Sequence, residues 1–280
     1  MVSEHKHSSS AGGTPPRVTT HTTADGTVLR VIMHGRTQTP RPVILFVAGW
    51  ASTPFTWRYF MPHLSSWAEV HYFETREKAS SNLSRSTDVS ITAMASDIAS
   101  YIEQNITGEP YGLIGASTGA NLAISALRLA ARPAWAVLVL PHVRVPIATY
   151  LNLFRFIPAP ALRCLKPVIL WLFRLNRLVG RTSQKQEGAF AALQQADLAK
   201  LRRSLFSWMT YRLESSELAN LSNLPCLIIA ASQDSTHNAG DAQSISTDLP
   251  RSHYYDGRTF TWAHSTHASR YVMNWVEHLE

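Results

Sequence analysis

The chain has 280 residues, of which 45% are hydrophobic and 16% charged, with 10% aromatic residues and two cysteines. That is too long for a disulfide-stapled miniprotein and too apolar for a disordered chain. The net charge is +7, from 26 Lys and Arg against 19 Asp and Glu, a balance that raises nucleic acid, an anionic membrane surface or an anionic substrate as partners.

Residues 1–16 are small and polar and contain no apolar run like that of a secretory signal, so they predict a disordered tail on a cytoplasmic-type protein. Residues 17–22 and 27–34 alternate around Ala24-Asp25-Gly26 and predict an opening hairpin. The β-branched run 43–48 predicts a strand buried on both faces, and 69–73 a second strand. Apolar residues at helical spacing predict a helix over 88–105, stopped by Gly108. Then come a strand at 111–114, a helix at 120–131 closed by Pro133, and a strand at 134–140. Residues 142–222 read as helices with little strand character. After them, 225–231 and 252–255 predict strands, and 239–249 and 265–279 predict helices. Apolar strands alternating with helices predict an α/β fold, a doubly wound and mostly parallel sheet. The domain reading is a tail at 1–16, a core of 17–141 and 223–280, and a helical insertion at 142–222. The longest apolar stretch in the middle of the chain, 167–173, is far short of the roughly 20 residues of a membrane span. Cys164 and Cys226 stand far apart with no CxxC pattern and predict two buried thiols rather than a disulfide or a metal site.

The chemistry centres on Gly115-Ala116-Ser117-Thr118-Gly119. Gly115 and Gly119 permit a sharp strand-to-helix turn that exposes the serine hydroxyl, and the helix behind it offers free N–H groups. A serine is a poor nucleophile unless a base takes its proton and an acid orients that base. Asp234 follows the strand 225–231 at the ligand-binding edge of such a sheet and is the candidate acid, with Asp241 and Asp256 as rivals. His264 is the first choice as base, because Ser265 or Thr266 reads as a helix cap and leaves His264 on the preceding loop. His267 is the alternative, with His237 and His142 behind it; His142 follows a strand directly and could also line the pocket. An oxyanion hole needs two donors. The Thr118 N–H is one, and the Trp50 N–H, in the loop after the strand 43–48, is the other.

Together these pieces resemble the α/β-hydrolase superfamily, in its serine hydrolase branch with a helical cap. The resemblance runs from about residue 27 to 279 and rests on four features. They are the order Ser117, Asp234, His264, the elbow GASTG, the loop AGW, and the helical insertion after Leu140. It implies hydrolysis of a carboxylic ester or thioester through an acyl-enzyme, with no cofactor and no metal. It also implies a cap over the pocket. The sequence departs from the family at Ala48, where His is common, and at Glu74–Ser80, where a glycine-containing segment is usual. Acyltransferase or lyase chemistry on the same fold, or a non-catalytic binding protein, are the competing readings.

The charge is concentrated in one region. Residues 142–222 hold 12 Lys and Arg against four Asp and Glu, and the remainder of the chain is near neutral. This stretch is also rich in Leu, Phe, Ile and Trp. Three readings stay open: an ordinary lid whose apolar face packs on the core and whose charges face solvent, a cap over a hydrophobic acyl group of a lipid-like or anionic substrate, or peripheral contact with an anionic membrane. No nucleic-acid-binding module is recognisable.

Overall fold

The apolar runs pair into one sheet because each is too hydrophobic to leave either face in water. A computed structural model of the chain describes residues 15–35, 41–106, 110–129, 132–146, 154, 156–179 and 183–279. Most of the expected tail at 1–16 lies outside these residues.

Strands β1 (Arg17–Thr22) and β2 (Val28–His34) form the antiparallel hairpin, turning at Gly26 with φ 79°. β2 pairs antiparallel with β4 (Glu69–Phe73). From β4 onward the sheet is parallel, through β3 (Val43–Val47), β5 (Tyr111–Ala116), β6 (Trp135–Val139), β7 (Cys226–Ala230) and β8 (Ser252–Asp256). The strand order is β1-β2-β4-β3-β5-β6-β7-β8.

One face is covered by α2 (Ile91–Asn105), α3 (Thr118–Ala126) and α8 (Ala239–Thr247), the other by α1 (Met61–Trp67), α9 (Phe260–Ala263) and α10 (Thr266–Glu277). Every residue of β5, β6 and β7 is buried. Each fully buried Leu, Ile or Val there contributes roughly 1.5–3 kcal/mol. The strand ends are therefore a rigid platform for the loops above them. Helix α2 starts at Ile91 rather than at 88 because Ser90 caps it, its hydroxyl accepting from the Ala93 N–H. Helix α1 was not anticipated: its apolar positions, Met61 and Leu64, are too few to reveal a helical period.

Between β6 and β7 the chain forms the cap, with helices α4 (Ala159–Val179), α5 (Gln184–Gln195), α6 (Leu198–Thr210) and α7 (Ser215–Leu218). Of the two cysteines expected to be buried, Cys226 is, in β7, but Cys164 is exposed on the outer side of α4. Among the described residues, no helix is long and apolar enough to cross a membrane.

Candidate active site

The parallel strands end at one edge of the sheet, and the loops leaving that edge converge on Ser117. The serine joins β5 to α3 with φ 53° and ψ −126°, a conformation that costs an L-residue strain and persists only when its surroundings impose it. Its N–H donates to the Val139 carbonyl at 2.7 Å, and its carbonyl accepts from Ala120 N–H at 2.9 Å. The flanking glycines make the turn possible by close approach. A Cβ on Gly119 would lie 2.2 Å from the Val47 carbonyl oxygen, and one on Gly115 would lie 2.5 Å from the Ala120 Cα. Ala51 and Leu140 share the unusual positive φ, at 58° and 54°, and with Ser117 they line one cavity. Backbone strain is thus collected around this site.

Asp234 follows β7 and is buried. Its Oδ2 accepts from His237 Nδ1 at 2.6 Å, and its Oδ1 accepts from Lys185 Nζ at 2.5 Å and from the Thr236 N–H at 3.1 Å. Burial works to raise its pKa, but the hydrogen bonds from His237, Lys185 and Thr236 outweigh it and hold the carboxyl well below the usual range. His237 Nε2 in turn lies 3.2 Å from Ser117 Oγ. Asp234, His237 and Ser117 therefore form a continuous chain of polar contacts.

His264, the expected base, occupies a different environment: the structure brings His237 rather than His264 into contact with Ser117. It sits on the loop before α10, with Ser265 as the cap, but its Nδ1 donates to the Phe260 carbonyl at 2.8 Å. Its ring is sandwiched between Phe260, at 3.9 Å, and Trp57, at 4.2 Å. It lines the cavity without a hydrogen bond to Ser117 or Asp234 among the described residues. Burial lowers its pKa to about 4, despite the opposing effect of the Phe260 carbonyl. His267, the alternative, is exposed in the first turn of α10.

His142 also reaches Ser117. Its Nε2 is 3.2 Å from Ser117 Oγ, and its ring stacks on His237 with centroids 5.0 Å apart. The side chain of Asn121, one turn along α3, donates to the His142 carbonyl at 2.6 Å and accepts from its N–H at 3.3 Å. Burial, helped by His237, lowers the His142 pKa to about 3. Its Nδ1 is buried with no hydrogen-bond partner.

Trp50 and Thr118, the expected oxyanion donors, are adjacent. The Trp50 N–H is not free, however: it donates to the Thr118 hydroxyl at 2.5 Å. Its loop is fixed from below by buried Lys78, whose Nζ donates to the Gly49 carbonyl at 2.5 Å, and from above by Trp50 Nε1 donating to Ser204 of α6 at 2.9 Å. Lys78 belongs to the segment without glycines after β4. There Arg30 forks onto Glu74 at 2.8 Å and Arg76 onto Asp97 at 2.6 and 2.7 Å. Buried ion pairs hold the shape of this segment.

The cavity over Ser117 measures about 260 Å³. Trp50, Trp57, Leu140 and Phe260 wall it, and α5 roofs it with Lys185, Gly188, Ala189 and Ala192, one helical face of mostly small residues. Lys185 is the one charged side chain lining it among the described residues.

No family model matches the sequence, and no curated protein does. Solved structures match the fold closely. An enol-lactonase from Burkholderia xenovorans LB400 superposes with a TM-score of 0.71 at 15% identity, over 91% of this chain and 97% of that one. An esterase from Exiguobacterium antarcticum gives 0.71 at 15% identity, over 93% and 98%. An esterase from Rhodococcus sp. ECU1013 gives 0.70 at 18% identity, over 94% and 99%. The chain has the α/β-hydrolase fold. In this fold Ser117 occupies the strand-to-helix elbow, and the helices between β6 and β7 form the cap.

On sequence alone His237 stands behind His264 and His267 as a candidate, three residues after Asp234. Its signal was its place beyond a strand end at the active edge. Lys185, one of many basic residues in the helical insertion, gave no signal of contact with Asp234.

Proposed function

We propose that the protein hydrolyses carboxylic esters or thioesters with a compact hydrophobic acyl group, through an acyl-enzyme on Ser117. The observation that carries this reading is the continuous line Asp234–His237–Ser117 beneath an apolar cavity. The esterases and the lactonase among the structural neighbours support the reaction class.

In the proposed mechanism His237 Nε2 takes the Ser117 proton as Oγ attacks the carbonyl carbon, and the carbonyl π pair moves onto oxygen. Asp234 holds the Nδ1–H and stabilises the imidazolium that forms. The Thr118 N–H receives the oxyanion, and the Trp50 N–H turns to it from the Thr118 hydroxyl. Collapse expels the alcohol or thiol with the proton from His237, and water repeats the cycle to release the acid. The 3.2 Å separation is long for the free enzyme and shortens as substrate seats.

His142 has a defined part in this scheme. The Ser117 hydroxyl has one proton, committed to His237. The contact with His142 is then an Nε2–H donating to the Oγ lone pair. That tautomer accounts for the orphaned atom: buried Nδ1 is a bare nitrogen rather than an unpartnered N–H. With its pKa lowered to about 3, His142 stays neutral and does not compete for the proton.

The test is turnover of p-nitrophenyl esters of increasing chain length, beside labelling by a fluorophosphonate. Ser117→Ala is expected to abolish both. Activity retained above a few per cent, or labelling unaffected by Ser117→Ala, would overturn the assignment.

A further inference from the structure

Helix α4 carries apolar residues on two opposite sides. On the inner side Leu162 is fully buried against Leu198 and Leu201 of α6 and packs over Trp50 and Ala51. Phe173 meets Phe190 of α5 with ring centroids 6.2 Å apart. On the outer side Val168, Trp171, Leu172 and Leu175 are 50, 56, 52 and 39% exposed. With exposed Cys164 they recur at spacings of four, seven, eight and eleven residues, which is one helical face. At 1.5 Å per residue the row is about 16 Å long. Arg163 and Arg174, both exposed, flank it on the same side.

A concentrated apolar row of this kind marks a surface that is covered when the protein works. Its charge selects the cover. Residues 142–222 carry 12 basic against four acidic side chains, so a second copy of this chain would bring two strongly positive caps together. An anionic lipid surface meets both features. We propose that the outer face of α4 docks on an anionic phospholipid bilayer. Trp171, Leu172 and Leu175 enter the boundary between headgroups and acyl chains, and Arg163 and Arg174 pair with headgroup phosphates. The docking does not depend on the hydrolase reading. If that reading holds, the docked helix lies back-to-back with the wall of the cavity, so an ester dissolved in the bilayer meets the cap directly.

Cys164 provides the probe, since it lies on the row while Cys226 is buried. The protein is labelled there with an environment-sensitive thiol reagent and mixed with phosphatidylcholine vesicles with or without one-third phosphatidylserine. Unlabelled protein is co-sedimented with the same vesicles in parallel. The expected result is a blue shift and co-sedimentation with the anionic vesicles, reversed by 0.5 M salt. Arg163→Gln with Arg174→Gln is expected to weaken binding about 25-fold, roughly fivefold per arginine. Trp171→Ser with Leu172→Ser is expected to abolish it. Turnover of a water-soluble ester, unchanged in these variants, reports that they are folded; circular dichroism does so if no ester is turned over. Binding that is indifferent to phosphatidylserine or to the arginine pair would overturn the proposal. So would a vesicle-independent change in molecular mass caused by the Trp171 and Leu172 substitutions, which would make the face a subunit interface.

Discussion

Two loops at the same edge of the sheet each deliver a histidine to the cavity, and their surroundings differ. The loop after β7 gives His237 a carboxylate at 2.6 Å on one nitrogen and the serine hydroxyl at 3.2 Å on the other. The loop after β8 gives His264 a backbone carbonyl and two aromatic faces. Both imidazoles touch the pocket, but only the first contacts both a carboxylate and the serine hydroxyl. Chain order within a fold identifies candidates for a role; the hydrogen-bond partners of each ring nitrogen decide between them.

The largest effect that sharpens this contrast is expected at Asp234. Asp234→Asn leaves a hydrogen-bonding group but removes the charge that stabilises the His237 imidazolium, and kcat is expected to fall about 10⁴-fold. Steady-state kinetics on an activated ester reads this directly. A loss below tenfold would break the assigned line. Next is His142. His142→Phe removes the N–H that orients the Ser117 hydroxyl toward His237 and is expected to lower kcat by about tenfold, while His142→Gln, which restores an N–H, recovers most of it. Equal loss in both variants would reduce His142 to a packing role.

Lys185 is expected to give a smaller and different signature. It reaches from the cap to Asp234 and Thr236, so Lys185→Met loosens the seating of α5 over the cavity. KM for an ester with an apolar acyl group is expected to rise several-fold with kcat changed less, because Asp234 keeps its bonds to His237 and Thr236. The smallest effect concerns stability. His264 titrates at about 4 in the folded chain and at about 6.5 when unfolded, so the unfolded state binds the extra proton between those values. Stability is complete above pH 6.5 and declines as pH falls toward 4. Between pH 7 and pH 5 this histidine alone is expected to cost roughly 2 kcal/mol. Denaturant titrations at the two pH values measure it, and His264→Phe should remove that part of the slope.

The sheet and the tight turn that carries Ser117 were readable in the sequence because their determinants are local. Branched apolar runs 43–48, 111–114 and 225–231 specify strands buried on both faces, and two glycines around Ser117 specify a turn that few other residues tolerate. The histidine that contacts both Asp234 and Ser117 was not readable in the same way. His237 and His264 occupy equivalent positions beyond strand ends, and what separates them is three-dimensional. Phe260 and Trp57 enclose one ring, whereas the tight loop from Asp234 carries the other onto Ser117. The commitment of the Trp50 N–H to the Thr118 hydroxyl, and the bond from Lys185 to Asp234, join segments 68 and 49 residues apart and leave no local trace. The charged segment after β4 was visible only as a missing glycine pattern. Its meaning emerges from Lys78 bracing the carbonyl of Gly49 beside the nucleophile.

The account rests on His237 as the proton acceptor. The direct measurement compares His237→Gln and His264→Gln, by kcat/KM on a short p-nitrophenyl ester and by the rate of fluorophosphonate labelling of Ser117. His237→Gln is expected to lower both by about 10³-fold or more, and His264→Gln to leave both within about tenfold of the unsubstituted protein. The reverse ranking, with His264→Gln inactive and His237→Gln active, would contradict the account.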